Sequence, residues 1–379
     1  MKFQYSVKCA VQGFAKLPAT GIRKMRLISK TCKTLVTVLA VTLITTLVGC
    51  SLFTEKPKGI EELLKDLRSP DAATREHAAH RLVSYDSDAE AERVVPALVG
   101  VLTDENAAVR SAAASSLGLY GHQARVAVPA LIRCLDDLEE DVRTRALMAL
   151  AELGDIPTDA LPILARMLSN DKYGHIRMYA AEAIALTGSR SVAVLQTLVD
   201  ALGDEDHRVR GISVKILGAL KLEAVQVIPQ ITVVLQDRDA DVREAAVEAI
   251  GQIGPAAKSA VAPLEALLSD EWPMVRIAAA KSFWQVTSET EKPIAVLIPC
   301  LSAQTRIGEI SGSKQDPNEL VPDWRPRRAA ARALGEMGPA ASSAIPALEK
   351  AAIDSVASLR EAVEDALKKI RASEFAPRP

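Results

Sequence analysis

Paired cysteines are missing from this sequence of 379 residues. Cys9, Cys32, Cys50, Cys134 and Cys300 are scattered, with no CxxC pair and no neighbouring histidine set, which excludes a zinc finger and argues against a disulfide framework. The five histidines, His77, His80, His122, His175 and His207, are spread along the chain. No Gly-rich phosphate loop, nucleophile elbow or HExxH occurs, so no catalytic residue, metal site or cofactor is expected. Aromatic side chains number only 13, and the formal charge of −2 is too near balance for a nucleic-acid binder. What remains is ordinary globular composition: 49% hydrophobic and 25% charged residues, enough for one or two substantial cores.

The balanced charge averages two unlike segments. Residues 1–49 hold eight basic side chains (Lys2, Lys8, Lys16, Arg23, Lys24, Arg26, Lys30, Lys33) and no acidic one, the bias of a segment retained on the cytoplasmic side of a membrane. An uncharged, mostly apolar run over residues 34–49 follows, as in the h-region of an export signal. It ends in Leu47, Val48, Gly49 and Cys50, which resembles the lipobox of bacterial lipoproteins. That resemblance implies cleavage before Cys50, diacylation of its sulfur and a mature chain outside the cytoplasm, stably held by two acyl chains. The other reading is an uncleaved transmembrane anchor over the 21 charge-free residues 34–54. A start at Met25 would leave a leader of more usual length. Ser51 after the cysteine resembles an outer-membrane-sorted sequence of enteric type. Without residues 1–49 the chain has 38 basic against 48 acidic residues, a net charge of −10. That favours a basic protein partner over nucleic acid or an anionic lipid surface.

From residue 59 onward the chain repeats. An acidic turn, Val-Arg, small residues and a Leu or Ile recur, as in DENAAVRSAAASSLG at Asp104 and DADVREAAVEAIG at Asp239. The aligned arginines are Arg75, Arg110, Arg143, Arg177, Arg210, Arg243, Arg276, Arg327 and Arg360, about 33 residues apart except for a gap of 51 after Arg276. A second marker keeps step: Pro96, Pro129, Pro162, Pro229, Pro263, Pro299 and Pro346, each followed by aliphatic residues. Each unit holds two segments of 3.6-residue periodicity, the first with proline in its first turn and the second stopped by Gly or Gly-Pro. One such hairpin cannot bury its apolar stripe alone, but stacked hairpins can.

The D-x-V-R-x-A-A-x-x-L-G core resembles HEAT repeats, specifically the short variety of phycobilisome lyases. It implies an all-α fold, a right-handed α-solenoid of about nine two-helix repeats over residues 59–372, after a 50–58 linker and before a flexible 373–379 tail. Second helices would line its concave face. In such solenoids an arginine at this place typically bonds the acidic turn of its own or the next repeat. Arg110, Arg143, Arg177, Arg210, Arg243, Arg276, Arg327 and Arg360 are therefore expected to form a structural ladder. The iron-binding HEAT-like hydroxylases carry His-Glu dipeptides, and this chain has none.

Repeat eight departs from the pattern. Residues 302–324 form a polar insertion with Gly308, Gly312, Pro317 and Pro322, expected to be a surface loop. The three tryptophans fall around it, and Trp284 occupies the slot held elsewhere by Gly118, Gly218 and Gly251. Trp272, Trp284, Trp324, Arg325 and Arg328 are the candidate partner-binding residues, since Trp and Arg are enriched at binding hot spots. The functional expectation is a non-catalytic, membrane-anchored scaffold lipoprotein of the bacterial cell envelope that binds another protein. The alternative is an accessory subunit of an envelope enzyme, or a lyase-like protein by analogy with bilin lyases, whose cytoplasmic chemistry export argues against.

Overall fold

The computed structural model describes residues 59–85, 87–154, 156–302, 304–306 and 320–372. The leader with Cys50, the linker, the center of the insertion and the tail lie outside these residues. The chain from Ile60 onward forms one compact unit.

Among the described residues nine helical hairpins follow one another. They pair α1 (Ile60–Asp66) with α2 (Ala72–Leu82), α3 (Asp88–Gly100) with α4 (Ala107–Leu119), and α5 (Val128–Cys134) with α6 (Glu140–Leu153). Next come α7 (Leu161–Asn170) with α8 (Gly174–Leu186), α9 (Leu195–Asp200) with α10 (His207–Ala219), and α11 (Ile228–Val234) with α12 (Ala240–Ile253). The last three pair α13 (Val261–Ala266) with α14 (Pro273–Thr287), α15 (Glu291–Cys300) with α16 (Trp324–Met337), and α17 (Ile345–Ala351) with α18 (Ala357–Arg371).

Local chemistry sets these boundaries. Proline occupies the first turn of α5, α7, α11 and α17, where its missing N–H has no helical partner to lose. Pro96 and Pro299 differ from the expectation, because α3 and α15 begin earlier and enclose them. Acidic or amide N-caps start several second helices: Asp71, Asn106, Asp206, Asp239 and Asp323 each accept a backbone N–H of the first turn. After most second helices one residue turns left-handed, at Gly121, Gly154, Gly188, Gly254 and Gly338 with φ of 53–73°. Lys221 fills the same slot with φ 52°.

The insertion is not simply a loop. Gln304–Arg306 (β1) and Leu320–Pro322 (β2) pair antiparallel, with Thr305 opposite Val321. Three residues of ladder suffice to bring the two ends of the insertion together. Trp324, expected inside the insertion, is already the first residue of α16.

Alanine, valine and leucine fill the core, and Phe283 is the largest fully buried side chain. Second helices of consecutive repeats come closest where glycine lies between them. A Cβ at Gly218 would sit 2.5 Å from Ala249 Cα, and one at Gly118 would sit 3.0 Å from Ala149 Cα, so neither slot admits a side chain without moving backbone. At the equivalent slot of repeat seven stands half-buried Trp284, and there the core divides. One buried cluster runs from Leu63 to Val286 and the second from Ile277 to Ile370. α14 is their shared wall: Ala279 and Phe283 face the first, Ile277 and Ala280 the second. Lys281 Nζ and Glu336 Oε2, 2.8 Å apart, join α14 to α16.

Candidate functional site

Between the hairpins runs a ladder of arginines and aspartates. Arg75, Arg110, Arg143, Arg177, Arg210 and Arg243 each donate two bonds to one carboxylate of the following repeat: Asp104, Asp137, Asp171, Asp204, Asp237 and Asp270. The Nε bonds measure 2.7–2.9 Å and those from the outer nitrogen 2.8–3.4 Å. The remaining nitrogen donates to main-chain carbonyls of the arginine's own turn, as from Arg210 to Asp204 O at 2.9 Å. Each aspartate also accepts the N–H two residues on, as Asp237 does from Asp239 at 2.9 Å. One carboxylate thus ties a turn and clamps the preceding repeat, and the bidentate fork requires the flat guanidinium.

The ladder shifts its carboxyls. Asp104 is held below the usual range first by the Arg75 bond, against burial. At Asp237 and Asp270 burial pushes upward, yet the bonds from Arg210 and Arg243 and from the turn amides leave both lowered. These groups are committed to structure.

Three of the expected rungs depart from the pattern. Arg276 donates to Asp270 O at 2.7 Å and Glu271 O at 3.0 Å, but among the described residues no carboxylate meets its fork. The position 27 residues on, which supplies aspartate after Arg110, Arg177, Arg210 and Arg243, is Ala303. Arg327 reaches Asp354 at 2.6 Å with one nitrogen, while its Nε turns back to Leu301 O at 2.9 Å. Among the described residues Arg360 binds Asp354 O and Ser355 O of its own turn and no carboxylate.

The tryptophan and arginine candidates do not form one cluster. Trp272, 45% exposed, is the N-cap of α14, and Trp324, 39% exposed, opens α16, so both stand at the starts of adjacent second helices. Arg328 lies over the Trp324 ring at 4.9 Å, and Arg325 bonds Asp323 at 3.0 and 3.1 Å. Trp284 sits three helical turns from Trp272, near the other end of α14, and packs on the second core.

Two features were not anticipated. Burial, then Glu248 and Asp241, push the Glu244 carboxyl on α12 up to about 7. A half-open groove of about 510 Å³ between α8 and α10 has an apolar floor of Ala185, Ile212, Ile216 and Leu220, with Lys215 and Lys221 at its rim. Neither departs from the repeat's apolar pattern, so periodicity carried no signal for them. Cys134 and Cys300 occupy equivalent buried slots at the ends of α5 and α15; burial pushes the Cys134 thiol up to about 11 and raises Cys300 too, the opposite of an activated nucleophile. His175 pairs with Glu140 at 3.0 Å. Among the described residues no group of three His, Cys, Asp or Glu is arranged to hold a metal, and no helix is long and apolar enough to cross a membrane.

Hairpins stacked in register and joined by a recurring Arg–Asp rung define an α-solenoid. A profile of HEAT repeats matches residues 60–151, 95–185 and 228–307, more than half of the chain, and the PBS lyase HEAT-like repeat matches 326–354. The chain belongs to the HEAT-repeat family. Among solved structures it is similar to the Kap95:Nup1 complex (TM-score 0.51, 15% identity, 83% of this chain and 48% of that one). It is also similar to an engineered protein from the Northeast Structural Genomics Consortium (0.49, 20% identity, 82% and 88%). A third is the CpcE–CpcF complex of phycocyanin lyase from Nostoc sp. PCC7120 (0.37, 24% identity, 64% and 94%). At these identities the likeness is one of fold. No curated protein matches the sequence significantly.

Proposed function

We propose that this HEAT-repeat chain is a non-catalytic scaffold of the bacterial cell envelope, exported, lipidated at Cys50 and holding another protein along its solenoid. The observation that carries the reading is the allocation of its charged groups. From Arg75 to Asp270 the recurring arginines and aspartates are consumed in joining repeat to repeat, while the thiols of Cys134 and Cys300 are disfavoured as thiolates. A rigid stack of this kind offers extended surface rather than a reaction center. The Kap95:Nup1 structure is an assembly of proteins by its own description, which agrees with a protein partner here.

Residues 1–49, with eight cations, no acid, an apolar run and LVGC at its end, support export and lipidation. The charge of −10 on the remainder favours a basic partner. Globomycin treatment of expressing cells should accumulate the precursor, and Cys50→Ala should release the chain from the detergent-extractable membrane fraction. A precursor that fails to accumulate, with the wild-type and Cys50→Ala chains both staying in the membrane, would favour the uncleaved anchor.

A further inference from the structure

Six rungs of the ladder present the same receptor already filled, with Nε and an outer nitrogen of arginine converging on two oxygens of one carboxylate. In repeat seven the same arginine stands in the same place, and among the described residues no carboxylate meets its fork. Arg276 is oriented by the same two carbonyl bonds, to Asp270 and Glu271, that orient its equivalents. It is half-buried, and what faces it from α15 is the thiol of Cys300, a weak acceptor. The reason is one residue. Helix α15 ends at Cys300 as α5 ends at Cys134, and the third residue after that end is alanine, Ala303, in this sequence where repeat three has Asp137.

Arg276 lies at the most distinctive place on the solenoid. Trp272 is one turn before Arg276 on α14, and Trp324 with Arg328 opens the next second helix. Exposed rings beside a preoriented guanidinium have the composition of a binding hot spot. On an otherwise acidic domain, one such cationic notch fixes the register of a partner that bulk charge alone would leave free to slide.

We infer that the Arg276 fork is a receptor for a carboxylate, supplied by an aspartate or glutamate side chain of the protein the solenoid holds. This rests on the scaffold reading for the source of the carboxylate, but not for the receptor itself.

The probe is acetate, titrated into the full chain against chloride at constant ionic strength while the arginine Nε–H resonances are followed by NMR. The Arg276 signal should move and saturate, and so should that of Arg360, whose fork meets no carboxylate among the described residues. Arg276→Lys should remove the first response. Ala303→Asp, which supplies the missing rung, should abolish the Arg276 response and leave that of Arg360 intact. An Arg276 signal that ignores acetate overturns the receptor. So does one that responds only after Glu309, Asp316 and Glu319 of the insertion are neutralised, since the fork would then be filled from within the chain. For the partner, a photo-crosslinker at Trp272 in cells should give an adduct that Ala303→Asp reduces at least fivefold. Adducts of equal yield in both chains overturn the partner assignment. Absence of adducts at both Trp272 and Trp324 overturns the scaffold reading instead, with the acetate result still deciding the receptor.

Discussion

Deleting one rung should cost far more than an exposed ion pair would, and removing both partners should cost little more than removing one. Arg210 and Asp237 are the best case, with side chains 6% and 11% exposed and bonds of 2.7 and 2.8 Å. Arg210→Met leaves the Asp237 carboxylate buried without its cation, which costs about 3–5 kcal/mol. Asp237→Asn keeps an oxygen for the Asp239 N–H but strands the guanidinium, at about 2–3 kcal/mol. The double variant removes both charges and should stand near the first single variant, a coupling of about 2 kcal/mol. Arg276→Met is the internal control. It loses two carbonyl bonds and no carboxylate, so its cost should stay below about 2 kcal/mol. Urea unfolding monitored by circular dichroism gives the energies, and hydrogen exchange should show opening concentrated between α10 and α12. Burial opposes ionisation of Asp237 but the Arg210 bond prevails, so its folded pKa lies below its unfolded one. Its stabilisation is therefore complete above the unfolded value of 3.8 and lost as pH falls through the lower folded value. The wild type should lose stability below about pH 4 more steeply than Arg210→Met. Additive single-variant costs, or equal costs at Arg210 and Arg276, would refute this account of the ladder.

Gly218→Ala should destabilise by about 1–3 kcal/mol because its Cβ would fall 2.5 Å from Ala249 Cα, while Gly211→Ala, whose Cβ meets only Val242 at 3.9 Å, should be neutral or stabilising. Chemical denaturation of the two variants checks the contrast. Lys221→Gly should stabilise by about 0.5 kcal/mol: a left-handed lysine costs about 1–2 kcal/mol, partly offset by glycine's freedom in the unfolded chain. Loss of stability there would mean that lysine contacts outweigh the backbone strain. Glu244 has a folded pKa of about 7 against 4.5, so its favourable contribution is complete below pH 4.5 and lost as pH rises to about 7. Glu244→Gln should thus raise stability at pH 8 by roughly 1 kcal/mol after solvent screening, and leave it unchanged at pH 4. Equal effects at both pH values would contradict the shift.

The sequence by itself determined the repeat. Hairpin spacing, the stop after each second helix and the arginine ladder are local or strictly periodic, and a period of about 33 residues survives translation into stacked structure because each unit contacts only its neighbours. The offset of 27 between Arg110 and Asp137 was also legible, and applied to Arg276 it would have exposed Ala303 in advance. Tertiary structure alone decided what the breaks in the period mean. Gathered in sequence, Trp272, Trp284 and Trp324 suggested one surface, yet a helix of 15 residues carries Trp284 away from Trp272 and turns it onto the second core. The close approach at Gly218, the left-handed Lys221, the half-buried Glu244 and the β1–β2 neck likewise depend on which backbone lies opposite. Periodicity records the partner within a repeat, whereas these features are set by distances across repeats that no single segment encodes.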